Sequence, residues 1–378
     1  MLSKGFEIEI YTGTSQGEIV GFSDQIVKNL DGFVREPDTR NVEYTTPPLY
    51  RYERLLCELV RPRTRLRQYL KQLGDYTLIP GSTLALSGSD RFYRSDPENP
   101  YHSYIERTYG TTVVTASVHI NIGIEEPEAL MRACRLVRLE APLYLALSAA
   151  SPFLDGQPTG KHSTRWSVFP KTPAHVPLFT SHAHYIAWTE EQLVKGTMQN
   201  VRHLWSSVRP NGDRRPYNLN RLELRICDLV SDPIALLAIC ALLEARVLQI
   251  LQDPTLDPLL TSKIAADALV ELTDRNEAAA AHHSLDAELT HWQTGESITA
   301  RTWIESLLQE VSPTVKQAGF GCFLQPVKKI LREGNEAQRW LKLYEQGLDS
   351  QAVIMQAIRE TEAQELALAG DICEPQVA

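Results

Sequence analysis

Four short segments of this chain alternate apolar residues with acidic or imidazole ones, and that alternation limits the fold more than any other feature. They are "FEIEI" at 6–10, "NVEYTTP" at 41–47, "SVHINIG" at 117–123 and "RLELRICD" at 221–228. An extended strand sends successive side chains to opposite faces, so Phe6, Ile8 and Ile10 face one way and Glu7 and Glu9 the other, the two carboxylates roughly 7 Å apart. Taken alone, "FEIEI" is a strand whose solvated face happens to be acidic. Taken with the other three segments, Glu7, Glu9, Glu43, His119, Asn121, Glu223 and Arg225 could share one face of one sheet. Hard oxygen ligands gathered in this way suit Mg²⁺, which is bound through a few carboxylates together with substrate phosphates.

The intervening sequence predicts strands at 5–11, 41–46, 112–124 and 218–228 and helices at 49–73, 126–150 and about 188–206. Residues 81–102 and the stretch after Ala150, both rich in Gly, Ser, Asp and Pro, read as long loops, a length that is often functional. From Pro233 the pattern is almost wholly helical, with breaks near Asp253, Gly295, Pro313 and Gly334. The expectation is an α+β fold of one catalytic domain over 1–378, with a sheet-bearing core at 1–232 and a helical portion at 233–378 packed on it.

Composition excludes several functions. The net charge is −9 and no basic block exists, so nucleic acid is not an expected partner. The densest basic stretch, "RPRTRLRQYLK" at 61–71, reads as the solvated face of a helix. The longest apolar run, "IALLAICALL" at 234–243, is too short to span a bilayer and reads as a core helix. The six cysteines at 57, 134, 227, 240, 322 and 373 form no CxxC pair, and the expectation is reduced, buried thiols in a cytosolic protein. Without a signal-peptide pattern at the start, the location expected is cytoplasmic.

Other motifs carry less. "GQPTGKHS" at 156–163 fails as a phosphate-binding loop, because its first glycine is one residue too close and a histidine precedes Ser163. His182 and His184 in "SHAHY" read as surface histidines, His282 and His283 as solvent-facing, and Cys227 as a core thiol with no base beside it.

In order, "FEIEI", "EYTTP", "SVHINIG", "SPFLDGQPTGKHSTR" and "LELRICD" resemble the glutamate–cysteine ligases and their carboxylate–amine ligase relatives, most closely the cyanobacterial branch. The resemblance implies a glutamine-synthetase-like fold, a curved and largely antiparallel sheet cupping the active site. It also implies an ATP-dependent ligase that joins the γ-carboxyl of glutamate to the amine of cysteine through a γ-glutamyl phosphate, with two or three Mg²⁺ ions. Carried over by motif, the metal ligands are Glu7, Glu9, Glu43, Glu223 and the strand histidine His119, with a further acid at Glu36 or Asp38. Arg225 and Arg165 would serve the phosphoryl transfer, Arg165 near the glutamate site, and Arg209 would be a further nucleotide contact. The amine acceptor could differ within the same fold, the fold could serve a non-catalytic nucleotide binder, and the oligomeric state is left open.

Overall fold

Alternating segments that share an apolar face must pair edge to edge, and they do. The computed structural model describes residues 1–373, Asp371 through its backbone alone. Strands β1 (Lys4–Thr14), β2 (Phe33–Arg35), β3 (Asn41–Thr45), β4 (Tyr76–Ile79), β5 (Val118–Gly123), β6 (Val208–Asn211) and β7 (Arg221–Leu224) form one sheet among the described residues. Its order is β2-β3-β1-β5-β7-β6, with β4 paired to β1 on the β5 edge, beyond the end of the β5 ladder, and every pairing is antiparallel.

The even-numbered side chains of β1, Phe6, Ile8 and Ile10, join Val42, Tyr44, Val118, Ile120, Ile122, Leu222 and Leu224 in the buried core. Helices α1 (Ser23–Asn29), α2 (Tyr52–Leu73), α3 (Pro100–Tyr109), α4 (Pro127–Ser148), α5 (Thr164–Val168), α6 (His182–Lys195) and α7 (Pro233–Gln252) follow in chain order. On this apolar side Tyr44 donates to the Leu59 carbonyl of α2, and the Cys227 thiol contacts the Tyr144 carbonyl of α4. Residues 129–131 and 133–148 of α4 are all buried, as a helix must be that is apolar on nearly every side and packed between the sheet and other helices.

Several expectations need correction. Helix α7 is the core helix expected around 234–243 and ends where the break near Asp253 was expected, but its apolar stretch is longer than the ten-residue run. It continues for 20 residues, long and apolar enough to cross a membrane, but 78% of its apolar window is buried inside the protein. Its charges are neutralised by partners: Glu244 accepts from Lys4 Nζ at 2.8 Å, and Arg246 forks onto Glu140. The basic stretch of α2 is a wet face only in part, at the exposed Arg61, Arg65 and Lys71. Arg63 and Arg67 are buried and pair with Glu365, whose helix closes over α2. Pro313 lies inside the helix Ala300–Ala318 rather than at a break, and the chain near Gly295 forms a small hairpin, Glu288–Thr290 with Ser297–Thr299. The cysteines are not all reduced or buried: Cys57 and Cys373 form a disulfide, and Cys322 is exposed, while Cys134, Cys227 and Cys240 are buried thiols.

Candidate active site

The other face of the sheet carries the polar residues, and the register sets their rows. Glu9 stands directly opposite Glu43 on β3. Glu7 stands opposite His119 on β5 and Thr45 on β3. Asn121 stands opposite Glu223 on β7, which in turn faces Arg209 on β6. Acidic groups therefore occupy one side of the face and guanidinium groups the other.

On the acidic side, oxygens of Glu9, Glu36 and Glu43 lie within 4.8 Å of one another. Burial, and then the neighbouring carboxylates, push Glu43 up to about 8 and Glu36 well above the usual carboxylate range. A divalent ion among the three would displace the protons that Glu36 and Glu43 are thereby inclined to keep. Asp38 is not part of this group. Both its oxygens are taken by Arg40, at 2.8 and 2.9 Å, and by the Arg40 and Tyr93 amides, which makes it a loop anchor.

Toward the centre, His119 Nδ1 lies 3.0 Å from Glu7 Oε2 and 3.7 Å from Glu223 Oε1, and Ser117 Oγ bridges His119 Nε2 at 3.1 Å to Glu9 Oε2 at 2.7 Å. On the basic side, the fully buried Glu223 accepts a two-pronged pair from Arg209 at 2.7 and 3.0 Å, a bond from Asn211 at 2.6 Å and one from Arg225 Nη1. Burial raises its pKa, but Arg209, Arg225 and His119 outweigh that and hold it well below the ordinary range. Glu7, raised by burial and by Glu223, is brought below its usual value by the His119 hydrogen bond and the charges of His119 and Arg225.

Residues 3–365 match the sequence description of glutamate–cysteine ligase family 2. The chain belongs to that family. A provisionally named glutamate–cysteine ligase 2 of Sorangium cellulosum is 29% identical over 248 residues, 65% of this chain and 63% of that protein, so the match spans less than two thirds of that relative. A provisionally named glutamate–cysteine ligase 2-1 of Rubrobacter xylanophilus is 26% identical over 372 residues, covering 94% and 93%. The fold is similar to that of a Francisella tularensis glutamate–cysteine ligase solved with AMP, at TM-score 0.77 and 12% identity over 97% of this chain and 89% of that one. It is also similar to a Pasteurella multocida bifunctional glutathione synthetase, at TM-score 0.73 and 17% identity, covering 97% of this chain and 53% of that one.

Within this family member the motif "SPFLDGQPTGKHSTR" has a mechanical part. Ser151 and Ser163 donate to Asp228 at 2.7 and 2.8 Å, and the Ala150 amide donates to the same carboxylate at 2.9 Å. Arg165 follows from there, buried beneath the strand, giving 3.1 Å bonds to the carbonyls of Arg225 and Ile226. It reaches the site through the backbone of Arg225. Asp228 ends the quoted "LELRICD", and the recurrence of serines in the distant loop was the only signal for its part. Arg215, in the turn between β6 and β7, carries no motif. Its Nη1 is buried without a partner, and burial, with Arg209 nearby, lowers its pKa to about 10.

Proposed function

We propose that this protein joins the γ-carboxyl of glutamate to the amine of cysteine, with ATP converted to ADP and phosphate. What supports the reading is the division of one sheet face in a glutamate–cysteine ligase family member. Carboxylates able to hold cations lie beside guanidiniums able to hold a phosphoryl group and a carboxylate. The γ-carboxylate attacks the terminal phosphorus of ATP and ADP leaves. The amine then attacks the acyl phosphate carbon, and phosphate and one proton are released. ATP, glutamate and the phosphoryl group together bring more negative charge than the arginines balance.

The donor set fits Mg²⁺. Its residues would be Glu9, Glu36 and Glu43 at one position and Glu7, His119 and Glu223 at another, where Arg209 and Arg225 compete for the Glu223 oxygens. When bound, such ions supply charge neutralisation and orient the phosphates. Arg225 spends one nitrogen on Glu223, and its remaining N–H groups are free to follow the phosphoryl oxygens as charge grows on them. Arg165 fixes the carbonyl of Arg225 and so its place on the strand. Arg209 and Arg215 add positive potential for the nucleotide and for the carboxylate of glutamate. We also infer one catalytic unit over the whole chain, because Lys4 at the start of β1 is locked to Glu244 of α7.

The test is ADP release from ATP and Mg²⁺. Release should require glutamate and rise strongly on adding cysteine, whose amine consumes the acyl phosphate. Equal stimulation by unrelated amines points to a carboxylate–amine ligase of wider scope, and ATP hydrolysis indifferent to glutamate contradicts the proposal.

A further inference from the structure

Beyond Glu7 the same sheet face runs into a cavity of about 800 Å³. Glu7, Thr45, Asn121, Asn220 and Arg221 line it on the site side. Arg221 is two residues before Glu223 on β7 and shares its face, opposite Gly123 of β5, and Gly5 of β1 stands opposite Asn121. Two glycines thus occupy the face where a neighbouring row carries Glu7 and His119. A Cβ on Gly123 would stand 2.1 Å from Ser3 Oγ, and one on Gly5 would stand 3.3 Å from Thr46 Oγ1, so small hydroxyl residues settle onto the sheet and no long side chain rises between Asn121 and Arg221.

The cavity has two unlike polar ends. Of its two basic side chains, Lys4 is committed to Glu244 and to the Tyr50 carbonyl. Arg221 is not: it holds the Asn220 side-chain oxygen with one nitrogen, lies a loose 3.8 Å from an exposed Asp213, and is 32% exposed. At the other end Asn121 Oδ1 is buried with no hydrogen-bond partner, while its Nδ2 is turned to Glu7 Oε1 at 3.3 Å, which fixes the amide with the acceptor free. A buried acceptor without a donor is costly unless a ligand supplies one. One strand and one row separate these two residues, about 8 Å between their Cα atoms by sheet geometry.

We propose that this cavity is the acceptor subsite and that it takes an α-amino acid, its carboxylate on Arg221 and its amine on Asn121 Oδ1 beside Glu7. An α-amino acid places a donor and an anion a few ångströms apart, and a guanidinium facing an amide oxygen matches that pair. The amine lies at the Glu7 end, toward the acyl phosphate, and the carboxylate points away from the negative phosphates. The cavity runs on to Leu2 and Leu251, so its two polar ends, not its size, choose the class of acceptor. The inference rests on the ligase reading above.

The experiment pairs a truncated acceptor with a truncated residue. Cysteamine is cysteine without its carboxylate. With saturating ATP, Mg²⁺ and glutamate, wild type should prefer cysteine over cysteamine in kcat/KM by about tenfold or more, the margin of a site built to bind the missing group. Arg221→Gln should bring the two acceptors to within about threefold and leave the KM for glutamate unchanged, and Arg221→Lys should recover part of the preference. An undiminished preference in Arg221→Gln, or an equal loss for both acceptors, overturns the subsite. Equilibrium dialysis of labelled L-cysteine and cysteamine, under reducing conditions, reads the same difference without turnover. Wild type without glutamate-dependent ADP release would sink the ligase reading, and the dialysis would then decide the cavity by itself: a cysteine preference lost in Arg221→Gln upholds it, and no such preference refutes it.

Discussion

Glu9 and Glu43 face each other directly across two antiparallel strands, an arrangement that destabilises a sheet unless a cation or a proton sits between them. A carboxyl with a raised folded-state pKa keeps its proton longer in the folded chain than in the unfolded one. Its stability contribution is therefore whole below its ordinary pKa of 4.5 and is lost as pH rises through about 8. In EDTA the wild type should lose melting temperature from about pH 4.5 to about pH 8, and Glu43→Gln should flatten that fall. An equal slope in the variant would mean that Glu43 does not carry the proton. On the basic side, Arg209 and Arg225 share Glu223 but should fail differently. Arg209 is wholly engaged, with further bonds to the Arg202 and Leu204 carbonyls. Removing it in Arg209→Met leaves a buried carboxylate short of its fork and should cost about 3–5 kcal/mol in urea unfolding. Arg225→Lys keeps a charge beside Glu223 and should remain folded while kcat drops by about tenfold or more, because the planar fork is gone. That Glu7 shares a face with Glu9, and Glu223 with Arg225, was legible from alternation alone, since a strand's side chains repeat with a period of two. The choice between Glu36 and Asp38 was not, because it turned on Arg40, which claims Asp38.

Among the elements, the long apolar helices and the four patterned strands were readable, and the short elements were not. Strand β4, of four residues, pairs with β1, and β6 holds the sequence "VRPN", whose proline is tolerated at a sheet edge, where β7 is its one partner strand among the described residues. Helix α3 starts in the last residues of the expected loop at 81–102 and runs on through 103–109, where no element was expected, because its signal is a cap, Asn99 accepting from the Tyr101 amide ahead of Pro100, and not an apolar stripe. Helix α6 begins at His182, six residues before the expected 188, where Ser181 caps it. Pro313 sits mid-helix because the surrounding apolar positions of Ala300–Ala318 are buried strongly enough to offset its missing hydrogen bond. The Cys57–Cys373 link ties α2 to the end of the described chain across a sequence separation of 316. Closing so long a loop restrains the unfolded chain, so Cys57→Ser should lower stability by about 2–4 kcal/mol. Since α2 packs on the apolar side of the sheet, away from the carboxylates, the variant should keep wild-type ADP release. A loss of activity at temperatures where the variant stays folded would show that the link reaches the site.

For the molecule as a whole, ligands that bind only the folded state must raise its melting temperature. Mg²⁺ with ATP should raise that of the wild type by several degrees, and Glu9→Gln and Glu7→Gln should each gain much less; in EDTA Glu9→Gln should be no less stable than wild type, because it relieves the repulsion with Glu43. Equal shifts in all three proteins would place the cation elsewhere. Local periodicity in the sequence determined the sheet's two faces and the helical second half, because side-chain direction in a strand or helix depends only on neighbours along the chain; the resemblance to the family came instead from five motifs in one order. Tertiary structure alone decided which charges meet. Arg63 and Arg67 looked solvated until Glu365, about three hundred residues on, closed over them. Asp228 became an anchor only when the loop from Ser151 to Ser163 folded onto it. The lone acceptor of Asn121 and the loosely held Arg221 came to share a cavity because two antiparallel strands set them one row apart, a relation of register that the sequence of neither strand contains.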